Sequence, residues 1–236
     1  MVMTVFKQLA LDLVLDDTYT FENYWPHANQ ELIDTIHHYF NTQFPLLLFI
    51  TGGSSCGKTH ILKATHEALK KMKKAVISFS MTDLIDITPN ILDGIEQLDY
   101  IIIDDIDAIQ NHPAWQEALF HCYNRSQDKQ CRWIVSAKEA PNHLSMTLKD
   151  LQSRLSHGIT FALKPHHDES KAKILQWRAK MLGLRLSDQV AYYLIQHYER
   201  DMHSQIQRLD FLEKASLATA RKLTIPFIKE ILSNQT

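Results

Sequence analysis

The sequence predicts an α/β fold: a parallel sheet covered by helices, followed by a small all-helical lid. Three observations lead to it. Five apolar runs of strand length alternate with amphipathic helical stretches up to Pro165, as βαβ units require. A glycine-rich turn, residues 52–59 (GGSSCGKT), stands between the first of these runs and a helix. Beyond Pro165 only helical periodicity remains.

The elements follow in order. Residues 1–17 are a short apolar-acidic lead, expected to be a flexible tail, and an aromatic segment (YTFENYWPHANQ) and a helix (ELIDTIHHYFNT) come next. LLLFIT, residues 46–51, is continuously apolar, as a strand buried on both faces must be. The helix after the turn carries Ile61, Leu62, Ala64, Thr65 and Leu69 as its apolar stripe. Strands are then expected at 75–80, 100–105, 131–137 and 158–163, separated by helices in NILDGIEQL, AWQEALFHCYNRS and LKDLQSRL. Four helices fill the rest: ESKAKILQWRAKMLG closed by Gly183, SDQVAYYLIQHYE capped by Ser187, a long one from Arg200 to Lys222, and TIPFIKEIL. The expected organisation is a tail (1–17), an α/β domain (18–165) and a helical lid (166–236).

Composition bounds the function. The chain has 236 residues, 45% of them apolar, and a formal net charge of -2, which suits one large globular domain with an attachment. Near-neutral charge argues against tight binding of duplex DNA by the whole molecule, although it allows a local basic patch. Cys56, Cys122 and Cys131 are too scattered for a disulfide framework or a zinc site, and the thirteen histidines show no ligand spacing. No apolar run is long enough to span a membrane, and the N-terminus lacks the pattern of a secretory signal, so a cytoplasmic location is expected.

Two motifs carry chemistry. Gly52, Gly57, Lys58 and Thr59 satisfy G-x-x-x-x-G-K-[ST], and Gly53 adds to the turn. Such a loop wraps closely around phosphates, aims backbone N–H groups at them, and adds the positive end of the following helix. Lys58 is expected to reach the β- and γ-phosphates, and the Thr59 hydroxyl to coordinate Mg²⁺. YIIIDDID supplies the second motif: Asp104, after four residues of strand, is expected to hold the metal. Taken alone, that acidic pair reads equally as solvated carboxylates at a strand end.

Together the motifs resemble those of AAA+ P-loop ATPases. The resemblance places Asp105 where many of these enzymes carry a glutamate that orients the attacking water, and the shorter side chain implies slow hydrolysis. It places Ser136, at the end of WIVS, where a small polar residue senses the γ-phosphate. Arg154, in LKDLQSRLSHG, is placed where an arginine can enter the nucleotide site of a neighbouring molecule. On residues alone, Ser136 needs no special role and Arg154 reads as a surface arginine.

Across nearly its whole length the chain resembles the DnaA family of bacterial replication initiators, and most closely that family's short regulatory branch, the Hda proteins. TFENYWPHANQELI, the P-loop, IIIDDID, DLQSRLSHGITFAL and RKLTIPFIKEIL carry the likeness, the last two being the most specific. The sequence ends after the helical lid, where initiators continue into a helix-turn-helix domain. Gln8, Leu9, Leu11 and Leu13, in QLALDL, look like the peptide by which that branch docks on the DNA sliding clamp; Asp12 stands where proline or a small residue is common. The resemblance implies a nucleotide-bound (ADP or ATP, with Mg²⁺), clamp-tethered regulator that stimulates DnaA to hydrolyse its ATP through Arg154. Its partners would be DnaA and the clamp's β subunit, with DNA reached only through the clamp, and homo-oligomerisation is possible. Adenine would lie near Tyr19–Trp25 and the lid. In the lid, His203 stands where the family carries a nucleotide-contacting arginine, with Arg200 one turn earlier; either Arg200 substitutes or this lid reads the nucleotide differently. The competing expectation is a self-sufficient ATPase that loads a helicase or remodels a DNA complex, permitted by Lys58, Thr59, Asp104 and Asp105. A third is a nucleotide-dependent scaffold.

Overall fold

The computed structural model describes residues 19–25, 29–42, 46–199 and 201–233. Among them, α1 (Gln30–Asn41) leads to β1 (Leu47–Thr51), and the glycine-rich turn leads to α2 (Lys58–Lys71). Then follow β2 (Val76–Ser80), β3 (Tyr100–Asp104), α3 (Pro113–Lys129), β4 (Arg132–Ala137), α4 (Lys149–Ser156) and β5 (Ile159–Ala162). All five strands run parallel, in the order β2-β3-β4-β1-β5. Because they are parallel, every strand ends at one edge of the sheet, and the helices return the chain to the other.

Burial explains which run became which strand. β1 and β3 are buried at every position, and β4 at all but Arg132, so each needs the unbroken apolar runs that the sequence supplies. The outer strands are different: β2 is only half-buried, and β5 is mostly exposed. Trp133, Phe49, Ile101, Ile103 and Leu119 belong to the core between the sheet and its helices. At the start of β5 a Cβ on Gly158 would lie 2.4 Å from the Leu47 carbonyl oxygen, so only glycine lets the two backbones approach.

NILDGIEQL departs from expectation. In place of a helix it forms two short 3-10 turns, Pro89–Leu92 and Ile95–Gln97, separated by Gly94 at φ 88°. Ile91, Leu92 and Ile95 are buried there, so the apolar spacing that resembles a helix instead serves a folded loop packed on the core. The sequence reading also omitted a single helical turn at Met81–Leu84 and a 3-10 stretch at Ile106–Asn111.

The α/β unit ends at Lys164, and a helical unit begins at Pro165. It contains α5 (Asp168–Met181), α6 (Asp188–His197), α7 (Met202–Thr219) and α8 (Ile225–Ser233) around Leu175, Leu194, Leu209, Leu212 and Phe227. Gly183, at φ 74°, follows α5, and Ser187 caps α6 by accepting from the Val190 N–H. The long helix is shorter than expected: the Asp201 carboxylate caps it by accepting from the Ser204 N–H at 2.9 Å, and Ala220, at φ 53°, ends it. No helix among the described residues is long and apolar enough to cross a membrane.

Gly158→Ala forces the Leu47 backbone aside and should cost about 2 kcal/mol, the usual scale of overpacking. A thermal melt is expected to fall by roughly 4–8 °C. An unchanged midpoint would show that β1 and β5 can separate freely.

Candidate nucleotide site

The site is assembled at the edge of the sheet where β1, β3 and β4 end. Leaving β1, the chain keeps its ladder for one more bond, with the Gly52 N–H donating to the Ala137 carbonyl at 3.2 Å. It then turns through Gly53, Ser55 at φ 58° and Gly57 at φ 100° into α2. Gly57 has a second reason to be glycine: a Cβ there would lie 3.1 Å from the ring of Tyr24. The first N–H groups of α2 have no partner within the helix and carry the positive end of its dipole.

Lys58 is 7% exposed, and its ammonium donates to the carbonyls of Gly52 at 2.7 Å and Gly53 at 3.0 Å, which fixes the cation beside the loop. The Thr59 hydroxyl donates to Asp104 Oδ2 at 2.6 Å. Ser136 Oγ donates to Asp104 Oδ1 in a short hydrogen bond. The Asp105 N–H bonds to Asp104 Oδ1 at 3.1 Å and to Ser136 Oγ at 3.3 Å. Thr59, Asp104, Asp105 and Ser136, far apart in sequence, thus form one hydrogen-bonded cluster.

Asp105 sits in the left-handed region, at φ 51°. Its carboxyl is held above the usual carboxylate range, first by burial and then by repulsion from Asp104 and Asp107, with Lys58 and Lys138 opposing. Neither the backbone conformation nor the Asp107–Lys138 pair, 3.9 Å apart, was foreseen. The repeated acids of DDID were the available signal.

The aromatic lead lies against α2. The Tyr19 and Tyr24 rings stand 5.1 and 5.3 Å from that of His60, and the Lys63 ammonium is 4.3 Å from the Tyr19 ring centre. Asn29 then ties this segment to the end of β5: its side chain accepts from the Lys164 N–H at 2.9 Å and donates to the Lys164 carbonyl at 3.3 Å.

Arg154 is not part of this cluster. It lies in the last turn of α4, four residues before Gly158, whose close contact is with Leu47 at the start of β1. Its charge also acts on Tyr123, whose ring is 5.3 Å from Trp133 near the start of β4. Both observations put Arg154 at the edge opposite the phosphate loop, across the five residues of β1, a strand length of about 16 Å at 3.3 Å per residue. Among the described residues the half-buried guanidinium makes no hydrogen bond or ion pair.

His203, exposed in the first turn of α7, has its Nε2 2.9 Å from Gln207 Nε2. Arg200 and the tail residues Gln8, Leu9, Leu11 and Leu13 lie outside the described residues.

The cluster suits a phosphate chain with a hard cation. Thr59 and Asp104 bring two oxygen ligands together, the donor type Mg²⁺ prefers, and the loop offers backbone N–H groups beside a buried ammonium. Lys58 and the loop would hold phosphates; Thr59 and Asp104 would hold the ion.

A parallel sheet in this order, with a P-loop after β1 and an acidic pair closing β3, defines an AAA+ fold of the P-loop class. Residues 15–162 match the bacterial DnaA ATPase domain, and the chain belongs to that family; residues 168–232 match the Hda lid domain, making this an Hda/DnaA-like AAA+ protein. Solved structures share the fold. Domain III of the Thermotoga maritima replication initiation protein DnaA superposes with a TM-score of 0.75 at 20% identity, over 92% of this chain and 96% of that one. AMPPCP-bound DnaA from Aquifex aeolicus gives 0.69 at 22% identity, over 84% and 66%. The Thermotoga maritima RuvB Holliday junction branch migration motor gives 0.67 at 14%, over 91% and 71%.

The raised Asp105 carboxyl gives a pH prediction. An ionised Asp105 destabilises the fold above its raised folded-state pKa, and that cost vanishes once pH falls below the ordinary carboxylate value. Asp105→Asn should therefore melt higher than the unmodified protein at pH 7, with the gap closing in acid. A gap that is absent at pH 7, or widens in acid, would refute the assignment.

Proposed function

We propose that the chain is a nucleotide-bound regulator of replication initiation, tethered to the sliding clamp, that completes the ATPase site of DnaA with Arg154. The observation that carries this reading is the placement of Arg154. A guanidinium carried at the edge of the sheet opposite its own phosphate loop, and without an acidic partner among the described residues, is poorly placed to serve that loop. It is well placed to meet an anion brought by another molecule. Charge developing on a transferring phosphoryl group is such an anion, and an arginine supplied in trans stabilises it. The membership in the DnaA ATPase family and the match of the lid to Hda support DnaA as the recipient.

In this reading the chain's own site holds ADP or ATP with Mg²⁺, which organises the fold around the phosphate loop. Lys58, with Gly52, Gly53 and Gly57, binds the phosphates, and Thr59 and Asp104 hold the cation. Ser136 orients Asp104 and the Asp105 backbone. His203 or Arg200 contacts the nucleotide from the helical unit, and Gln8, Leu9, Leu11 and Leu13 dock in the clamp's apolar groove. The tail (1–17), the α/β domain (18–165) and the lid (166–236) then divide tethering, activation and nucleotide reading among them, in the cytoplasm.

One observation favours a second reading, a self-sufficient ATPase acting as a helicase loader or remodeller. The cluster of Thr59, Asp104, Asp105 and Ser136 is complete, and Asp105 could serve as the group that orients water. Rapid turnover by the chain alone would favour it.

The deciding experiment measures hydrolysis of DnaA-bound ATP in the presence of DNA-loaded clamp. The unmodified chain should accelerate it, and Arg154→Ala should lose about a thousandfold or more, within the range known for trans-acting arginines. Equal acceleration by both would remove Arg154 from the mechanism. Lys58→Ala should abolish nucleotide binding in an equilibrium titration, and Leu11→Ala with Leu13→Ala should abolish clamp association while leaving nucleotide binding intact. Retained clamp binding would relocate the tether.

A further inference from the structure

We infer that this protein contacts the DNA phosphate backbone directly, through a lysine-rich surface at the edge of the sheet opposite the phosphate loop. This goes beyond the regulator reading, in which DNA is reached only through the clamp. The surface is built where α2 ends. Residues 70–75 (KKMKKA) are all exposed, and they hold four lysines within five positions of a chain whose net charge is -2.

The ordinary reasons for surface lysines explain only part of the run. Lys70 is paired with Glu67 at 3.2 Å, and Lys70 and Lys71 lie in the last turn of α2, where cations complement the helix dipole. Lys73 and Lys74 stand beyond that turn. Neither makes a side-chain hydrogen bond or ion pair among the described residues. Lys73 moreover occupies a left-handed position, φ 58°, which glycine or asparagine would adopt with less strain.

The ammonium groups of Lys73 and Lys74, with those of Lys70 and Lys71 beside them, match a row of phosphates and carry no device for reading bases, so the contact is with the backbone and independent of sequence. It lies at the same edge of the sheet as Arg154, displaced toward β2.

The test is fluorescence anisotropy of the full chain with a random-sequence 30-base-pair duplex, without clamp or DnaA, over a salt series. The unmodified protein is expected to bind at low salt with a steep salt dependence, and the triple variant Lys71→Ala, Lys73→Ala, Lys74→Ala should bind at least about tenfold more weakly. Its slope of log affinity against log salt should be smaller by roughly two to three, because each phosphate no longer neutralised reduces the slope by about 0.9. An unchanged melt and nucleotide affinity will show that the variant is folded. Absence of salt-sensitive binding by the unmodified protein, or equal binding by the variant, overturns the inference. So does a variant that binds DNA normally but fails only with clamp or DnaA present, since the lysines would then face an acidic protein. Because the measurement omits both proteins, its failure leaves the role of Arg154 standing, and failure of Arg154→Ala leaves the DNA contact standing.

Discussion

The Asp104 carboxylate, 8% exposed at the end of β3, ties together the elements around the phosphate loop. Burying a carboxylate is costly unless its oxygens are hydrogen-bonded, and here they accept from Thr59, Ser136 and the Asp105 backbone. Thr59 belongs to α2, Ser136 to β4 and Asp105 to the turn after β3. One acidic group therefore fixes the P-loop helix against two strands, and the same bonds that satisfy the buried carboxylate set the spacing of two oxygens of the kind a hard cation prefers. Stability and ligand geometry share the same atoms at this point.

The parallel sheet imposes a second constraint. With every strand ending at one edge, residues that follow strands gather there, and residues that precede strands gather at the other. The phosphate loop, Asp104 and Ser136 are of the first kind. Arg154, Lys73 and Lys74 are of the second. Gln116 helps to hold this division. Fully buried, it donates to the Ile109 and Gln110 carbonyls and accepts from the Thr147 hydroxyl and the Leu148 N–H, so it joins the stretch after β3 to the start of the Arg154 helix. A single amide thus mechanically links the nucleotide edge to the element that carries the arginine.

This logic explains what was legible in the sequence. LLLFI and YIIID read as buried strands because burial on both faces removes any need for polar alternation, and the P-loop read clearly because its spacing is fixed by the turn it must make. Helix stops and caps, Gly183 and Ser187 among them, were visible because their chemistry is local. NILDGIEQL was not, because Ile91, Leu92 and Ile95 have helical spacing while Gly94 breaks the path, and only the packed core decides between the two. The bonds of Ser136 to Asp104 and of Asn29 to Lys164 were invisible for the same reason: both join residues distant in the chain. Tail positions Gln8 to Leu13 rest on pattern alone.

Asp105 shows how the fold and the site constrain each other. A non-glycine residue in the left-handed region persists only where surrounding bonds over-determine it, and those from its N–H to Asp104 and Ser136 do so. The same position brings its carboxyl beside Asp104 and Asp107, where burial and repulsion both oppose ionisation. Two costs, one conformational and one electrostatic, thus fall on one residue at the mouth of a phosphate loop. Asparagine would relieve the second and tolerate the first, so packing alone gives no reason for an acid here. A positive charge or a polarised water delivered with the nucleotide would offset the repulsion, and the acid then becomes an asset in the bound state. Strain of this kind at Asp105 is what pre-organisation for a ligand carrying compensating charge would produce.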